Sequence, residues 1–238
     1  GFRVPPLRHE EASSCVWIDT DIHTDRLRKF RFREWDNPDV YLDENIRRML
    51  GNYRYSVTEL AQTFMEQGKP DSAAYWLKWG EERIPFRPVG DNTNSLVLYA
   101  YNYARVGEPD EAIRLGNSGK TRILDDLKYQ MEQYDDLQNE VLELDREAKL
   151  ARQNADLSQQ RRLRNRIQHM LSSREDITRI IQYSISHLTI LQHIYFTAEE
   201  DELALSLADT VDELTGARIS IPKTKEESKA QIDQFGLD

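Results

Sequence analysis

The sequence has little cysteine and no long hydrophobic run. Cys15 is the single cysteine in 238 residues, which excludes an internal disulfide and a cysteine-based zinc site. A bilayer-spanning helix needs roughly 18 or more apolar residues in succession, and no stretch reaches that length. The densest stretch, 177–196, is interrupted by Gln, Ser, Thr and His. The lone cysteine does not decide the compartment, because an extracytoplasmic protein can lack disulfides.

Basic residues are fewer than acidic ones, 32 Lys and Arg against 42 Asp and Glu. The net charge is −10, which argues against nucleic acid as the main partner. One basic cluster, Arg161, Arg162, Arg164 and Arg166, lies on a helical stretch flanked by acidic residues. This pattern favours a solvated helix face over a phosphate-binding site. The chain begins at Gly1 without Met or a signal peptide, and we interpret it as a piece of a larger protein.

Motifs for catalysis and metal binding are missing as well. The sequence contains no phosphate-binding loop, no nucleophile elbow and no HExxH metal motif. His187 and His193 lie six residues apart, which does not place two ligands on one helix face. Carboxylate pairs are so frequent that none of them indicates an acid–base site. We therefore expect no catalytic residue, metal or cofactor in this chain, and no enzymatic activity.

An aspartate-rich stretch around His23, residues 19–25, allows two interpretations. A calcium or other metal loop would use its carboxylates, but the glycine and distal glutamate of an EF-hand are absent. The ordinary alternative is a helix over 26–32 with Thr24 or Asp25 as its N-cap. The spacing favours the cap.

What the sequence does contain is a helical hairpin over 54–85. Large and small apolar residues recur at helical spacing on both sides of a Gly-Lys-Pro-Asp turn. They are Leu60, Ala61, Phe64, Ala73, Leu77 and Gly80, and Pro85 ends the second helix. Small residues allow two helices to approach closely, and Gly68 permits the reversal. This arrangement is typical of a tetratricopeptide repeat.

A second hairpin follows at a spacing of 39 residues. It repeats the pattern as Tyr99, Ala100, Tyr103, Gly107 and Ala112, with a Gly-Glu-Pro-Asp turn. The usual repeat is roughly 34 residues long, and the excess falls in 85–92. The pattern decays at its end, where Gly116 and Gly119 replace core residues and no proline follows.

Two further helical segments are predicted beyond Lys120. An apolar stripe from Leu124 to Ala148, a polar break near 154–156 and a second stripe over 163–171 predict an antiparallel helical arm over 123–171. Its most plausible role beyond spacing is a dimer contact. Residues 175–196 and 203–214 predict a third hairpin around a turn at 197–201. Three stacked hairpins are the usual minimum for a stable solenoid.

The sequence thus predicts an all-α fold of stacked tetratricopeptide-like hairpins with a long helical arm and an irregular N-terminal lead. The predicted segments are an irregular lead with one short helix over 1–36, a helix and two hairpins over 37–122, and the arm over 123–172. The third hairpin covers 173–215, and 216–238 is an irregular charged tail with room for one short helix.

One stretch resembles a known family. The phrase DNPDVYLDENIRRMLGNYR, the following EQGKPDSA and a later DDLKY at 125–129 are similar to the soluble C-terminal region of bacterial membrane proteins called domain of unknown function 2723. The resemblance covers about Phe30 to Tyr129, and the insert around 148–166 departs from it. That family is classed as glycosyltransferase-like and is similar to protein O-mannosyltransferases. The resemblance implies an extracytoplasmic (periplasmic) appendage, without the catalytic acids, that follows a missing transmembrane region.

Binding is the function that the sequence favours. In tetratricopeptide repeats the first helix of each hairpin lines the concave face, and its outward residues are the candidate ligand contacts. By register these are Tyr55, Thr58, Gln62, Met65, Glu66, Asn94, Val97, Tyr101 and Arg105. Tyr55, Gln62, Met65, Asn94, Tyr101 and Arg105 are the predicted binding residues, for a protein or peptide or, alternatively, a glycan. Trp76 and Trp79 are better explained by packing than by a carbohydrate platform.

Overall fold

The computed structural model describes residues 18–31, 37, 39–41, 43–86 and 93–236. The protein is all-α: 83% of the described residues are helical, and none of them lies in a strand. The eight helices described are α1 Thr20–Lys29, α2 Glu44–Glu66, α3 Pro70–Arg83, α4 Thr93–Arg105, α5 Pro109–Gln153, α6 Leu157–Thr197, α7 Asp201–Thr215 and α8 Lys225–Phe235. Within these ranges, no helix is both long enough and apolar enough to cross a bilayer.

The chain divides into two compact units, Gly1–Gly90 and Asp91–Asp238. The division falls inside 37–122, which the sequence predicts to be one segment with a helix and two hairpins. The first predicted hairpin, α2 and α3, therefore belongs to one unit, and the second, which begins with α4, belongs to the other. The all-α prediction is confirmed, while stacking of these two hairpins in the tetratricopeptide manner stays a prediction.

In the first unit, α1 begins earlier than the sequence predicts. Asp19, rather than Thr24 or Asp25, is the N-cap, and its carboxylate accepts bonds from the backbone N–H groups of Asp21 and Ile22. The helix ends at Lys29, so the predicted range 26–32 is wrong by more than a turn at its start. Asp19 precedes the first helical residue and leaves Thr24 inside the helix. Residues 1–17, with the predicted extended lead, lie outside the described part.

The first hairpin forms where the sequence predicts it. Asp43 caps α2, which continues through Gly51 without a break. The predicted helix before the hairpin and the first helix of the hairpin are therefore one helix. Ala61, Ala73 and Leu77 are fully buried between α2 and α3. Arg54 is also buried: its Nε and one terminal nitrogen donate to the carbonyl oxygens of Ile84 and Pro85, at 3.1 and 2.6 Å. A cation thus stabilises the carboxyl end of α3.

The turns after α2 and α4 share one backbone geometry. Gly68 and Gly107 have φ angles of 69° and 81°, in the left-handed region. In each turn the residue after the glycine bonds back to a carbonyl five residues earlier, from Lys69 to Phe64 and from Glu108 to Tyr103. This is the Schellman arrangement that ends a helix and reverses the chain. The turn chemistry predicted from Gly-Lys-Pro-Asp and Gly-Glu-Pro-Asp is therefore correct.

In the second unit, α5 continues from the second hairpin into the arm as a single helix of 45 residues. The apparent decay of the hairpin pattern at Gly116 and Gly119 is a misreading. A Cβ on Gly119 would lie 2.9 Å from a methyl of Leu96, and one on Gly116 would lie 3.2 Å from a methyl of Leu191. The two glycines are the positions where α4 and α6 approach α5 closely.

The remaining helices follow the predicted order. The break at 154–156 separates α5 from α6, which passes through the arm and then forms the third hairpin with α7. In this third hairpin Leu191, Tyr195 and Ala204 are fully buried. The charged tail contains α8, whose N-cap Thr224 accepts a bond from the backbone N–H of Glu227.

Candidate functional site

The six predicted binding residues lie on two helices of different units. Tyr55, Gln62 and Met65 belong to α2, while Asn94, Tyr101 and Arg105 belong to α4. A tetratricopeptide groove would need both helices on one concave surface. We therefore describe the two sets of residues separately.

On α4, the expectation of an outward binding face is wrong. Tyr101 is 4% exposed and Val97 is completely buried. The Tyr101 ring lies 6.4 Å from the ring of His193 on α6, and the Arg105 guanidinium lies 5.9 Å from the Tyr101 ring. Asn94 Oδ1 lies 3.2 Å from His187 Nε2, also on α6. The long α6 covers the side of α4 that a repeat would leave open.

On α2, part of the predicted face is accessible. Tyr55 is 53% exposed, while Gln62 and Met65 are half-buried on the same side of the helix. The Glu59 carboxylate, one turn away, raises the pKa of Tyr55, and burial adds to this effect. Thr58, predicted to point outward, is buried, and its hydroxyl donates to the Tyr55 carbonyl oxygen at 2.7 Å. The accessible side thus carries an aromatic ring, an amide, a thioether and a carboxylate.

His23 on α1 contacts Ser56, the residue that follows Tyr55 on α2. A hydrogen bond of 2.9 Å joins His23 Nε2 and Ser56 Oγ. Burial lowers the pKa of His23, Glu59 opposes this effect and Arg26 adds to it. A hydroxyl–imidazole pair is the core of a nucleophilic site, but such a site also needs N–H donors for the oxyanion. Ser56 lies in the middle of α2, where backbone N–H groups are used by the helix, so the pair is a tie between α1 and α2.

The tryptophans of α3 are packing residues, as the sequence favours. Trp76 is 3% exposed, and the Arg28 guanidinium from α1 stands 5.4 Å from its ring. Trp79 meets Trp76 edge-on at 5.1 Å, and Arg83 lies over it at 5.9 Å. The buried Trp76 ring offers no open face on which a sugar would stack, and Trp79 is half-buried against it.

Buried polar side chains in the second unit join α6 to its neighbours. Gln192 donates to the carbonyl oxygens of Ala204 and Pro222, and the Tyr195 hydroxyl donates to Asn117 at 2.8 Å. Burial lowers the pKa of His187 to about 4 and raises that of Tyr195 to about 12. Both groups are therefore neutral at pH 7. Sequence reasoning missed Gln192, although a Gln within a strongly apolar helical run is a signal that it has buried partners.

An open cleft of about 620 Å3 lies between the turn after α6 and the start of α8. Its lining combines Phe196 and Leu205 with charges of both signs. Lys223 at its edge already forms an ion pair of 2.6 Å with Asp212. Because opposite charges are interleaved, the cleft has no preference for either sign of ligand.

The described residues contain no group of three or more His, Cys, Asp or Glu side chains arranged to hold a metal ion. His23, from the aspartate-rich stretch, bonds to Ser56, and Asp19 caps α1. The fold therefore defines an all-α protein of helical hairpins in which several buried polar groups, His187 and Gln192 among them, connect helices. No protein-family model matches the chain, and no curated protein or solved structure is detectably similar to it.

Proposed function

We propose that this chain is a non-catalytic module that binds and positions a protein partner. In this proposal the chain is the extracytoplasmic C-terminal part of a bacterial membrane glycosyltransferase-like protein. The membrane-spanning region of that protein precedes Gly1 in the full polypeptide. The location comes from the resemblance of 30–129 to that family. The interaction role comes from the helical hairpins, a scaffold that proteins widely use for binding other proteins.

The accessible side of α2 supports the binding role. Tyr55, Gln62 and Met65 combine an exposed ring with a flexible thioether and an amide, which suits a peptide or protein surface. Buried hydrogen-bonding groups elsewhere, such as His187 and Gln192, support the non-catalytic part of the proposal because they bond to other helices.

Site-specific cross-linking in cells tests the proposed partner surface. A photoreactive amino acid at position 62 should capture a defined polypeptide, and Tyr55→Ala should remove the product because the exposed ring supplies contact area. The same amino acid at position 230, exposed on α8, is the control. Identical products from positions 62 and 230 would contradict a specific surface on α2.

Glycan recognition is the second candidate, and the exposure of Tyr55 favours it. An accessible aromatic ring beside an amide is a common sugar-binding pair, through stacking and hydrogen bonds. Calorimetric titration with oligosaccharides should give binding that Tyr55→Ala abolishes and Tyr55→Phe largely retains. If cross-linking captures a partner polypeptide and the titrations give no heat of glycan binding, the protein-binding role is favoured over glycan recognition.

The proposed membrane connection has its own test. The coding sequence upstream of Gly1 should encode a series of hydrophobic spans in the same reading frame. A start codon immediately before Gly1 would contradict the appendage proposal and leave the binding proposal standing.

A further inference from the structure

The arm formed by the end of α5 and the start of α6 is held by a narrow apolar seam. Leu144, Ala148, Ala151 and Leu163 are buried in it, and Ile167 and Met170 pack against them. From residue 137 to Gln153, α5 is about 25 Å long. The turn at 154–156 ends the arm, with Ala155 in the left-handed region at a φ of 54°.

The arm tip, defined as residues 146–166, has a charge opposite to that of the chain. It contains seven Arg and Lys residues against two Asp and Glu, a net charge of +5. Because the whole chain carries −10, the other residues together carry −15. The tip is therefore a basic end on an otherwise acidic molecule.

The positive charge is concentrated on one side of the tip. Leu157, Arg161 and Arg164 follow one another at intervals of four and three residues, so they share a face of α6. Lys149 and Arg152 share a face of α5 for the same reason. When each helix is viewed from its own N-terminus, these residues lie in the same rotational direction from the seam residues of that helix. Because α5 and α6 are antiparallel and face each other along the seam, the two sets of residues lie on the same side of the pair. We call these five exposed residues the basic face.

The opposite side of the tip is compensated. Arg162 and Arg166 lie there, near Glu143 and Glu147, and Arg166 forms an ion pair with Glu140 at 2.5 Å. On the basic face, Lys149 pairs with Asp145 at 3.0 Å.

Arg152, Arg161 and Arg164 form no ion pair with any residue in the described ranges. Leu157 beside them is 78% exposed, more than other large apolar side chains of the arm such as Leu142 and Leu150. The basic face therefore combines uncompensated cations with an exposed leucine.

We propose that the basic face docks on an anionic lipid bilayer. Arginines attract the headgroups electrostatically, and an exposed leucine among them enters the interface between headgroups and acyl chains. A second copy related by two-fold symmetry would place positive face against positive face, which is repulsive. An extended polyanion such as a nucleic acid would be repelled by the rest of the chain, which carries a net charge of −15. This inference does not depend on the partner surface proposed for α2.

Vesicle co-sedimentation of the full chain tests the proposal. The chain should bind vesicles of equimolar phosphatidylglycerol and phosphatidylcholine, and not vesicles of phosphatidylcholine alone. Arg161→Gln with Arg164→Gln should weaken binding about 25-fold, since each cation near an anionic surface contributes about fivefold. Leu157→Gln should also weaken it, while added salt should weaken the wild type.

Arg162→Gln with Arg166→Gln is the matched control, because it removes the same amount of charge from the opposite side of α6. It should bind nearly as well as wild type. Equal losses in the two double variants would overturn the proposal, since net charge alone would then decide binding. Absence of binding to anionic vesicles, or association of two copies that the basic-face variant abolishes, would overturn it as well. Circular dichroism of each variant checks that the helices are retained.

A fluorophore at the tip locates the contact. In a Cys15→Ser background, Leu157→Cys carrying an environment-sensitive dye should shift to the blue on anionic vesicles. The same dye at Leu142→Cys, on the arm but before the tip, should shift less. Equal shifts at both positions would contradict docking through the tip.

Discussion

His187 is a buried imidazole that the fold keeps neutral. Its Nε2 lies 3.2 Å from Asn94 Oδ1, and the Tyr183 ring meets it edge-on at 4.3 Å. Burial lowers its pKa to about 4 from an ordinary value of 6.5. In the unfolded chain the same group takes up a proton near pH 6.5, so its contribution to stability depends on pH.

We therefore predict that the protein loses stability as the pH falls from about 6.5 to 4. Over this window the unfolded state binds more protons than the folded state, and the loss attributable to His187 is up to about 3 kcal/mol. Urea unfolding at a series of pH values measures it. His187→Gln should give a flatter profile, with a residual slope from His23, whose pKa is also lowered. An unchanged slope in the variant would show that other groups titrate.

The sequence predicts that Tyr101 and Tyr55 are both outward-facing binding residues, but in the structure Tyr101 is buried and Tyr55 is exposed. Tyr101→Ala should reduce the free energy of unfolding by about 3–5 kcal/mol, because it leaves a cavity between α4 and α6. Tyr55→Ala should change it by less than about 0.5 kcal/mol, because the ring is largely exposed. Chemical denaturation measures both. Similar values for the two variants would contradict the burial of Tyr101.

At the scale of elements, four hairpin turns in the described part of the chain end a helix with a left-handed residue. Two of these residues are Gly68 and Gly107, whereas the turns after α5 and α6 use Ala155 and Glu199, at φ angles of 54° and 62°. A side chain in this region is strained, because its Cβ approaches the following carbonyl oxygen. The first two turns are recognisable in the sequence from glycine, and the other two lack that signal.

Replacing Ala155 or Glu199 by glycine should therefore stabilise the protein. We expect a gain of about 0.5–1 kcal/mol at each position, because relief of strain exceeds the added freedom of the unfolded chain. Ala230→Gly within α8 is the control of opposite sign, with an expected loss of about 1 kcal/mol. Thermal and urea unfolding measure the changes. A loss of stability at 155 comparable to that at 230 would refute the assignment of strain.

At the scale of the whole molecule, the second unit has its own core. Leu188, Leu191, Tyr195, Ala204 and Ala208 are all fully buried within it. Residues 91–238 also fall in the size range at which a single core supports an independent domain. This core includes α4 through α8 and excludes the first hairpin.

We predict that a fragment of residues 91–238 folds by itself. It should show a helical circular dichroism spectrum and a cooperative thermal transition, because its core is complete without residues 1–90. Leu191→Ala in the fragment and in the full chain should lower the transition temperature by a similar amount. A fragment that is unfolded, or that melts without cooperativity, would mean that the first unit is required for the core.

Much of the fold could be predicted from the sequence because the relevant signals are local. Helical periodicity depends on neighbours three and four residues away, and the glycines at 68 and 107 specify their turns through backbone sterics alone. The arm's break at 154–156 and the burial of Ala73 and Ala112 follow from the same kind of information.

The candidate site was less predictable, because it depends on which helix covers which. A repeat register places Tyr101 outward only if nothing crosses α4, and the path of α6 over that helix is a long-range property. The same approach explains Gly116, which looks like a defect in an isolated hairpin and is a contact point with Leu191 in the fold.

The sequence by itself determined the helices, two glycine turns and the excess of acidic residues over basic ones. Only the tertiary structure decided which aromatic side chains are buried and how the arm's charges separate into a basic side and a compensated side. The physical reason is that periodicity specifies that a helix has an apolar face, whereas the partner that covers this face is chosen by packing between residues far apart in the chain.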